Sequence, residues 1–281
     1  LAHELLSPKK HVDKTYYAVT DGCMTDEDVQ QFAQGLEIGE KNPYSFLHVD
    51  RAEMDLPAET DLYDAKVYQK AKENLHKMEE TGVLVQDHKP CYYIYELVRK
   101  GKVQTGIAGC ASIDDYLNNV VKKHELTRSD KELDRINHVD VCDANTGPIY
   151  LACRYTDALS ALLEQWKKEH KAAYDFTEED EITHRVWVID GDEAISQIQD
   201  EMEKISALYI ADGQQRAASA VKVGLKRRQE NPDYTGEEAF NYFLSVVFPY
   251  DQLTILAYNR VVRDLNGQSV EDVLEKIKEN F

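Results

Sequence analysis

Apolar residues recur at helical spacing over residues 61–80, where Tyr68, Ala71, Leu75 and Met78 share one face and Gly82 follows as a stop. An earlier stretch, 25–35, predicts a helix opened by Thr25 and the acidic first turn Asp26, Glu27 and Asp28, and a short apolar run predicts a strand over 45–49. The period then shortens. Residues 91–98 and 103–112 alternate as strands do, and Arg99-Lys100-Gly101-Lys102 between them predicts a hairpin turn.

From Ile113 the pattern reads helical and polar through Asp130-Lys131-Glu132-Leu133-Asp134-Arg135. A loop follows at Ala144-Asn145-Thr146-Gly147-Pro148. Beyond it come a strand over 149–154, a helix over 156–170, strands over 173–176 and 182–189, and a helix over 192–204 with Ile195, Ile198 and Met202 on one face. A strand over 207–211 runs into a helix over 217–228, then strands over 243–248 and 253–258, then a terminal helix from Ser269 with Glu271 and Asp272 in its first turn. Strands and helices interleaved in this way define an α/β (α+β) fold.

Composition supports a folded chain. Of 281 residues 42% are apolar, enough to offset the ordering entropy, and length alone suggests two average domains. The 33 Lys and Arg against 52 Asp and Glu give a net charge of -19, which opposes binding to nucleic acid or to anionic membranes. No apolar run approaches the roughly twenty residues of a membrane span, and no signal peptide opens the chain, so a cytoplasmic protein is expected. The five cysteines, Cys23, Cys91, Cys110, Cys142 and Cys153, include no CxxC pair and read as buried free thiols. The first residue is Leu1 rather than Met, and a trimmed chain is expected.

The segment richest in chemistry follows the strand over 207–211. There Asp212-Gly213-Gln214-Gln215-Arg216 joins that strand to a helix. Unpaired N–H groups and the positive dipole end of a helix N-terminus form a site for phosphate. Gly213 allows close backbone approach, Gln214 and Gln215 offer amide donors, and Arg216 offers a planar fork. Asp212 either caps the helix or holds a hydrated magnesium ion. The plain alternative is an ordinary turn with a surface arginine.

This turn, followed by Ala217-Ala218, resembles the D-G-H-H-R or G-x-R-R motif of the ParB/sulfiredoxin-like superfamily, in which it binds nucleotide phosphates. The segments Asn42-Pro43-Tyr44-Ser45-Phe46-Leu47-His48-Val49, Lys123-His124-Glu125-Leu126-Thr127, Lys131-Glu132-Leu133-Asp134-Arg135, Asn145-Thr146-Gly147-Pro148 and Tyr258-Asn259-Arg260-Val261-Val262 through Asp264-Leu265-Asn266-Gly267 resemble a bacterial family catalogued as domain of unknown function 1015. The resemblance implies a mixed-sheet nucleotide-binding core over 101–281 with an N-terminal α/β region over 1–100, or one family domain trimmed at both ends.

Within the superfamily the chain is similar to archaeal ADP-dependent free serine kinases. Their catalytic glutamate lies in an H-E pair followed by K-E-L, upstream of D-G-H-H-R, and here His124-Glu125 precedes Lys131-Glu132-Leu133. That correspondence implies ADP or ATP with Mg2+ as cofactor, L-serine or another small hydroxylated metabolite as substrate, and Glu125 as general base. Lys122, Lys123, Arg128 and Arg135 flank it as candidate cations, and His124 as a substrate contact. Gln214 and Gln215 replace the two histidines of most relatives, which keeps hydrogen bonding but removes a proton donor. A non-catalytic nucleotide-binding or regulatory module, and a ParB-like DNA-associated NTPase, are the alternatives.

Weaker signals complete the reading. Asn259, Arg260 and Arg263 are candidates for a substrate carboxylate or phosphate, with an edge-strand charge as the alternative. His138, Asp140 and Asp143 alternate as strand-borne metal ligands would, although local hydrogen bonding is the commoner fate of such residues. Lys222, Lys226, Arg227 and Arg228 on the helix after the turn would suit nucleic acid, but cations near a helix C-terminus are common for dipole reasons alone.

Overall fold

The computed structural model describes residues 44–124, 129–178, 181–255 and 265–280. The chain divides into two compact units, Gly39–Leu253 and Leu1–Ile38 with Thr254–Phe281. In the second of these, helix α8 (Val270–Asn280) opens with reciprocal 3.1 Å bonds: the Asp272 N–H donates to Ser269 Oγ and the Ser269 N–H to Asp272 Oδ2. The helix predicted over 25–35 lies outside the described residues.

The Gly39–Leu253 unit begins with α1 (Leu47–Asp50) and α2 (Ala65–Glu80), then the hairpin β1 (Tyr92–Arg99) and β2 (Lys102–Ser112). Next come α3 (Ile113–Leu117), β3 (Val121–Lys122), α4 (Ser129–Cys142), β4 (Ile149–Cys153) and α5 (Asp157–Glu169). The rest is β5 (Tyr174–Thr177), β6 (Thr183–Ile189), α6 (Asp192–Glu203), β7 (Leu208–Asp212), α7 (Gln214–Glu230) and β8 (Tyr242–Pro249).

Local chemistry explains several of these boundaries. Lys100 and Gly101 both have positive φ, 49° and 76°, as the two-residue type I′ hairpin requires. Helix α2 ends in a Schellman motif, with Gly82 at φ 73°, its N–H bonded to the Glu79 carbonyl and the Val83 N–H to that of Met78. Thr156 caps α5 by accepting from the Leu159 N–H at 3.0 Å.

The strands form one sheet in the order β3-β7-β4-β8-β2-β1-β6-β5. The β3/β7 and β4/β8 pairs are parallel and the others antiparallel, so the sheet is mixed. On one face Ile94, Ile107, Trp187 and Ile189 pack under Leu159 and Leu163 of α5 and Ile198 of α6. On the same face, by strand pairing, Leu151, Ile210 and Val247 pack under Ala217, Ala218 and Val221 of α7. Gly224 lets α7 approach closely, since a Cβ there would meet the Phe240 carbonyl and, at 2.8 Å, Ile113 Cδ1. Helix α4 packs on α7, and α2 packs on α4 through Val67, Ala71, Leu75 and Met78 against Cys142.

One inward position is charged. Glu96 follows Ile94 at the two-residue period, and its carboxylate accepts from Lys167 Nζ at 2.8 Å, Arg185 Nη1 at 3.1 Å and Thr105 Oγ1 at 3.3 Å. Burial works to raise its pKa, but these hydrogen bonds and the Lys167 charge outweigh burial and leave it lowered.

Three expectations are corrected. The predicted strand over 45–49 is instead the helical turn Leu47–Asp50, with Ser45 Oγ accepting from the Leu47 N–H and Val49 buried against the α2 layer. The helical run from Ile113 is broken by β3. The strand predicted over 253–258 does not form in 253–255, where a 3-10 turn, Tyr250–Gln252, has already ended β8; residues 256–258 lie outside the described ones.

Candidate functional site

β7 ends at Asp212, the chain turns at Gly213, and α7 begins at Gln214 rather than at Ala217 as the sequence pattern suggested. Gly213 adopts φ 88° and ψ 24°, the left-handed region open to glycine at little cost. It occupies the N-cap position, and no side chain caps the helix there. Asp212 is therefore no helix cap.

Arg216 folds back over this turn. A Cβ on Gly213 would lie 2.9 Å from Arg216 Nη2, and one on Gly147 would lie 3.4 Å from Arg216 Cδ. Nη2 donates to Asp212 Oδ2 at 2.9 Å and to the Pro148 carbonyl at 3.2 Å. The loop before β4 thus supplies half of the cradle, a role that sequence reading missed. Its signal was the Gly147-Pro148 pair in one of the family-like segments. Gln215 Oε1 and Arg216 Nε are buried without a hydrogen-bond partner among the described residues, which is costly for polar groups unless a further group satisfies them.

Gln214 is used differently from the expectation. It is buried, and its Oε1 accepts from the His124 N–H at 3.4 Å, tying the end of β3 to the start of α7. β3 runs parallel to β7, with Lys122 opposite Tyr209, so residues 122–124 border the turn. Of the sequence-predicted set, Asp212, Gly213, Gln214, Gln215, Arg216 and His124 come together here. Glu125, Arg128, Asn259, Arg260 and Arg263 lie outside the described residues.

Two predicted cations point elsewhere. Lys123 sits 4.2 Å over the Tyr116 ring and donates to the Tyr116 carbonyl, while Arg135 pairs with Asp50 at 3.3 Å. The cations of α7 are paired too: Lys222 with Glu132, Lys226 with Asp140 at 2.6 Å, Arg227 with Asp140 at 3.1 Å, and Arg228 with both oxygens of Asp114 at 2.7 and 2.8 Å. That face of α7 is neutralised and poorly suited to a nucleic-acid backbone.

The strand-borne metal set is corrected as well. His138 and Asp140 lie on α4, and Asp143 follows its end. His138 Nε2 meets the Val49 carbonyl at 3.0 Å, and Asp140 and Asp143 both face Arg227. No group of three or more metal-ligating side chains occurs among the described residues. Cys142 and Cys153 are buried free thiols pushed by burial up to about 11 and about 12, which leaves them unreactive near neutral pH.

A hollow of about 410 Å3 lies away from the turn, over Glu96, Lys167 and Arg185. Its charges satisfy one another, with Lys167 also 2.6 Å from Glu164 and Arg185 3.2 Å from Asp175. The unsatisfied polar atoms at the turn make that place the better candidate.

Comparison with protein families matches residues 7–281 to one described as "Protein of unknown function (DUF1015)". The chain belongs to the DUF1015 family. Its D-G-Q-Q-R turn and the Asn145-Thr146-Gly147-Pro148 loop, both within the matched span, meet in space through Arg216. No curated protein and no solved structure matches the chain. Among the described residues no helix is long and apolar enough to cross a membrane.

Proposed function

We propose that this DUF1015 protein binds the phosphates of ADP or ATP at 212–216 and transfers a phosphoryl group to a small hydroxylated metabolite, with free L-serine as the leading substrate. The observation that carries the reading is the uncapped start of α7 behind left-handed Gly213, roofed by a guanidinium whose Nε has no partner among the described residues. Phosphate oxygens there would accept from the α7 N–H groups and from Arg216. The side chain of Asp212 is 76% exposed beside the turn and suits a hydrated Mg2+, which when bound neutralises phosphate charge.

In the proposed step the serine hydroxyl oxygen bonds to the terminal phosphorus as the bridging P–O bond breaks. Glu125 accepts the hydroxyl proton, and AMP leaves when ADP is the donor, or ADP when ATP is. The resemblance of the His124-Glu125 and Lys131-Glu132-Leu133 segments to those of free serine kinases supports Glu125 in that role, and its chain neighbour His124 borders the turn through Gln214.

Full-length protein with Mg2+, L-serine and either ADP or ATP is expected to form O-phosphoserine, detected by mass spectrometry. Absence of any phosphorylated product across free amino acids and small alcohols would refute the kinase reading. A second reading, a nucleotide-binding regulatory module, is favoured by Gln214 and Gln215, neither of which carries a titratable proton. It predicts nucleotide binding without turnover.

A further inference from the structure

The phosphate turn has an aromatic neighbour on the other face of the sheet. Leu151 and Ile210 pair and turn inward beneath α7, so Tyr150 and Ala152 of β4 and Tyr209 of β7 point to the opposite face. Tyr209 lies on the strand that ends at the turn, is paired with Ala152 and is 55% exposed. Tyr150 is paired with Asp212 itself, next to an irregularity in the β4/β7 register.

Tyr150 is braced. Phe248 stacks on it with ring centroids 4.4 Å apart and an interplanar angle of 17°, and Tyr95 meets Phe248 edge-on. Phe248 is fully buried and lies over Gly106, where a Cβ would come within 2.9 Å of the ring. On this face Ala152, Val246 and Phe248 are buried, while Tyr209 is exposed. Neither the Tyr150 nor the Tyr209 hydroxyl has a hydrogen-bond partner among the described residues.

We infer that Tyr209 and Tyr150 form a base-stacking shelf continuous with the phosphate turn, so that the ligand is a purine nucleotide rather than any phosphate-bearing metabolite. The inference rests on the reading of 212–216 as a phosphate site. Roughly 10 Å of strand separates Tyr209 from Asp212, within the length of an extended nucleoside diphosphate. An aromatic side chain on a flat sheet offers a π face to a base without reading its edges. The apolar shelf also suits the -19 chain, because it holds the uncharged end of the ligand while Arg216 meets the charged one.

Calorimetric titration of the full chain with Mg·ADP and with Mg·pyrophosphate separates the two ends. Tyr209→Ala is expected to weaken ADP binding at least fivefold and to leave pyrophosphate within twofold, whereas Tyr209→Phe retains ADP affinity and Arg216→Ala weakens both ligands. Tyr209 is exposed, so its replacement leaves the fold intact. Unchanged ADP affinity in both Tyr209→Ala and Tyr150→Leu, or equal loss of both ligands in Tyr209→Ala, overturns the shelf while the turn reading stands. Failure of the wild-type chain to bind either ligand overturns the turn reading, and the shelf with it.

Discussion

Glu125→Gln is expected to slow O-phosphoserine formation by roughly 10²–10⁴-fold while leaving nucleotide affinity within about threefold. The change keeps side-chain size and removes only the capacity to take a proton. A serine hydroxyl attacks poorly without a base to accept its proton as the P–O bond forms, whereas nucleotide binding depends on the Gly213 turn and Arg216. Rapid-quench mass spectrometry gives the rate, and calorimetry with Mg·ADP gives the affinity. A variant as fast as wild type would remove Glu125 from the chemistry, and a parallel loss of affinity and rate would make it a binding residue instead.

Glu96→Ala is expected to destabilise the Gly39–Leu253 unit by about 3–5 kcal/mol. Glu96 is 6% exposed, and its removal strands Lys167, whose side chain is only 11% exposed, beside a sheet face otherwise packed with Ile94, Ile107 and Trp187. Lys167 would keep its contact to Glu164 at the rim, which limits the loss but does not restore the inward partner. Urea unfolding followed by tryptophan fluorescence measures the change, because Trp187 lies in the same cluster.

The pH dependence has a definite sign. The folded Glu96 carboxyl titrates below its ordinary value, about 4.3, so its contribution is present above that value and is lost as pH falls through the lower folded pKa. Wild-type stability should therefore fall below about pH 4.5 more steeply than that of Glu96→Ala. Identical acid limbs in the two proteins would contradict the ion-pair account.

Much of this architecture was legible in the pattern of residues. The hairpin at Lys100-Gly101 and the helix ending at Gly82 declare themselves, because Gly101 and Gly82 supply the positive φ that their turns need. The run over 45–49 was ambiguous by nature: a few apolar residues fit a strand or one helical turn, and burial of Val49 against a distant helix decided it. The two-residue strand β3 and the parallel β4/β8 pairing come from long-range partners that no local period encodes. Glu96 did leave a trace, a charge at an inward position of an otherwise apolar and aromatic strand.

At the site, the glycine turn and Arg216 were readable as a unit. The start of α7 at Gln214, the Pro148 carbonyl under Arg216 and the diversion of Gln214 toward His124 were not, since each depends on how β3, β4 and β7 lie side by side. The cations flanking the H-E pair looked like one cluster in sequence. Cation–π contact with Tyr116 and pairing with Asp50 draw Lys123 and Arg135 away from one another's task.

Nucleotide phosphates are expected to bind at the Gly213 turn. Titration of the full chain with Mg·ADP, in parallel with Arg216→Ala, tests it most directly. The account predicts saturable 1:1 binding that weakens about tenfold or more in the variant, the loss expected for one charge-assisted contact of about 1.5–3 kcal/mol. Binding that is absent in the wild type, or equal in the two proteins, would contradict it.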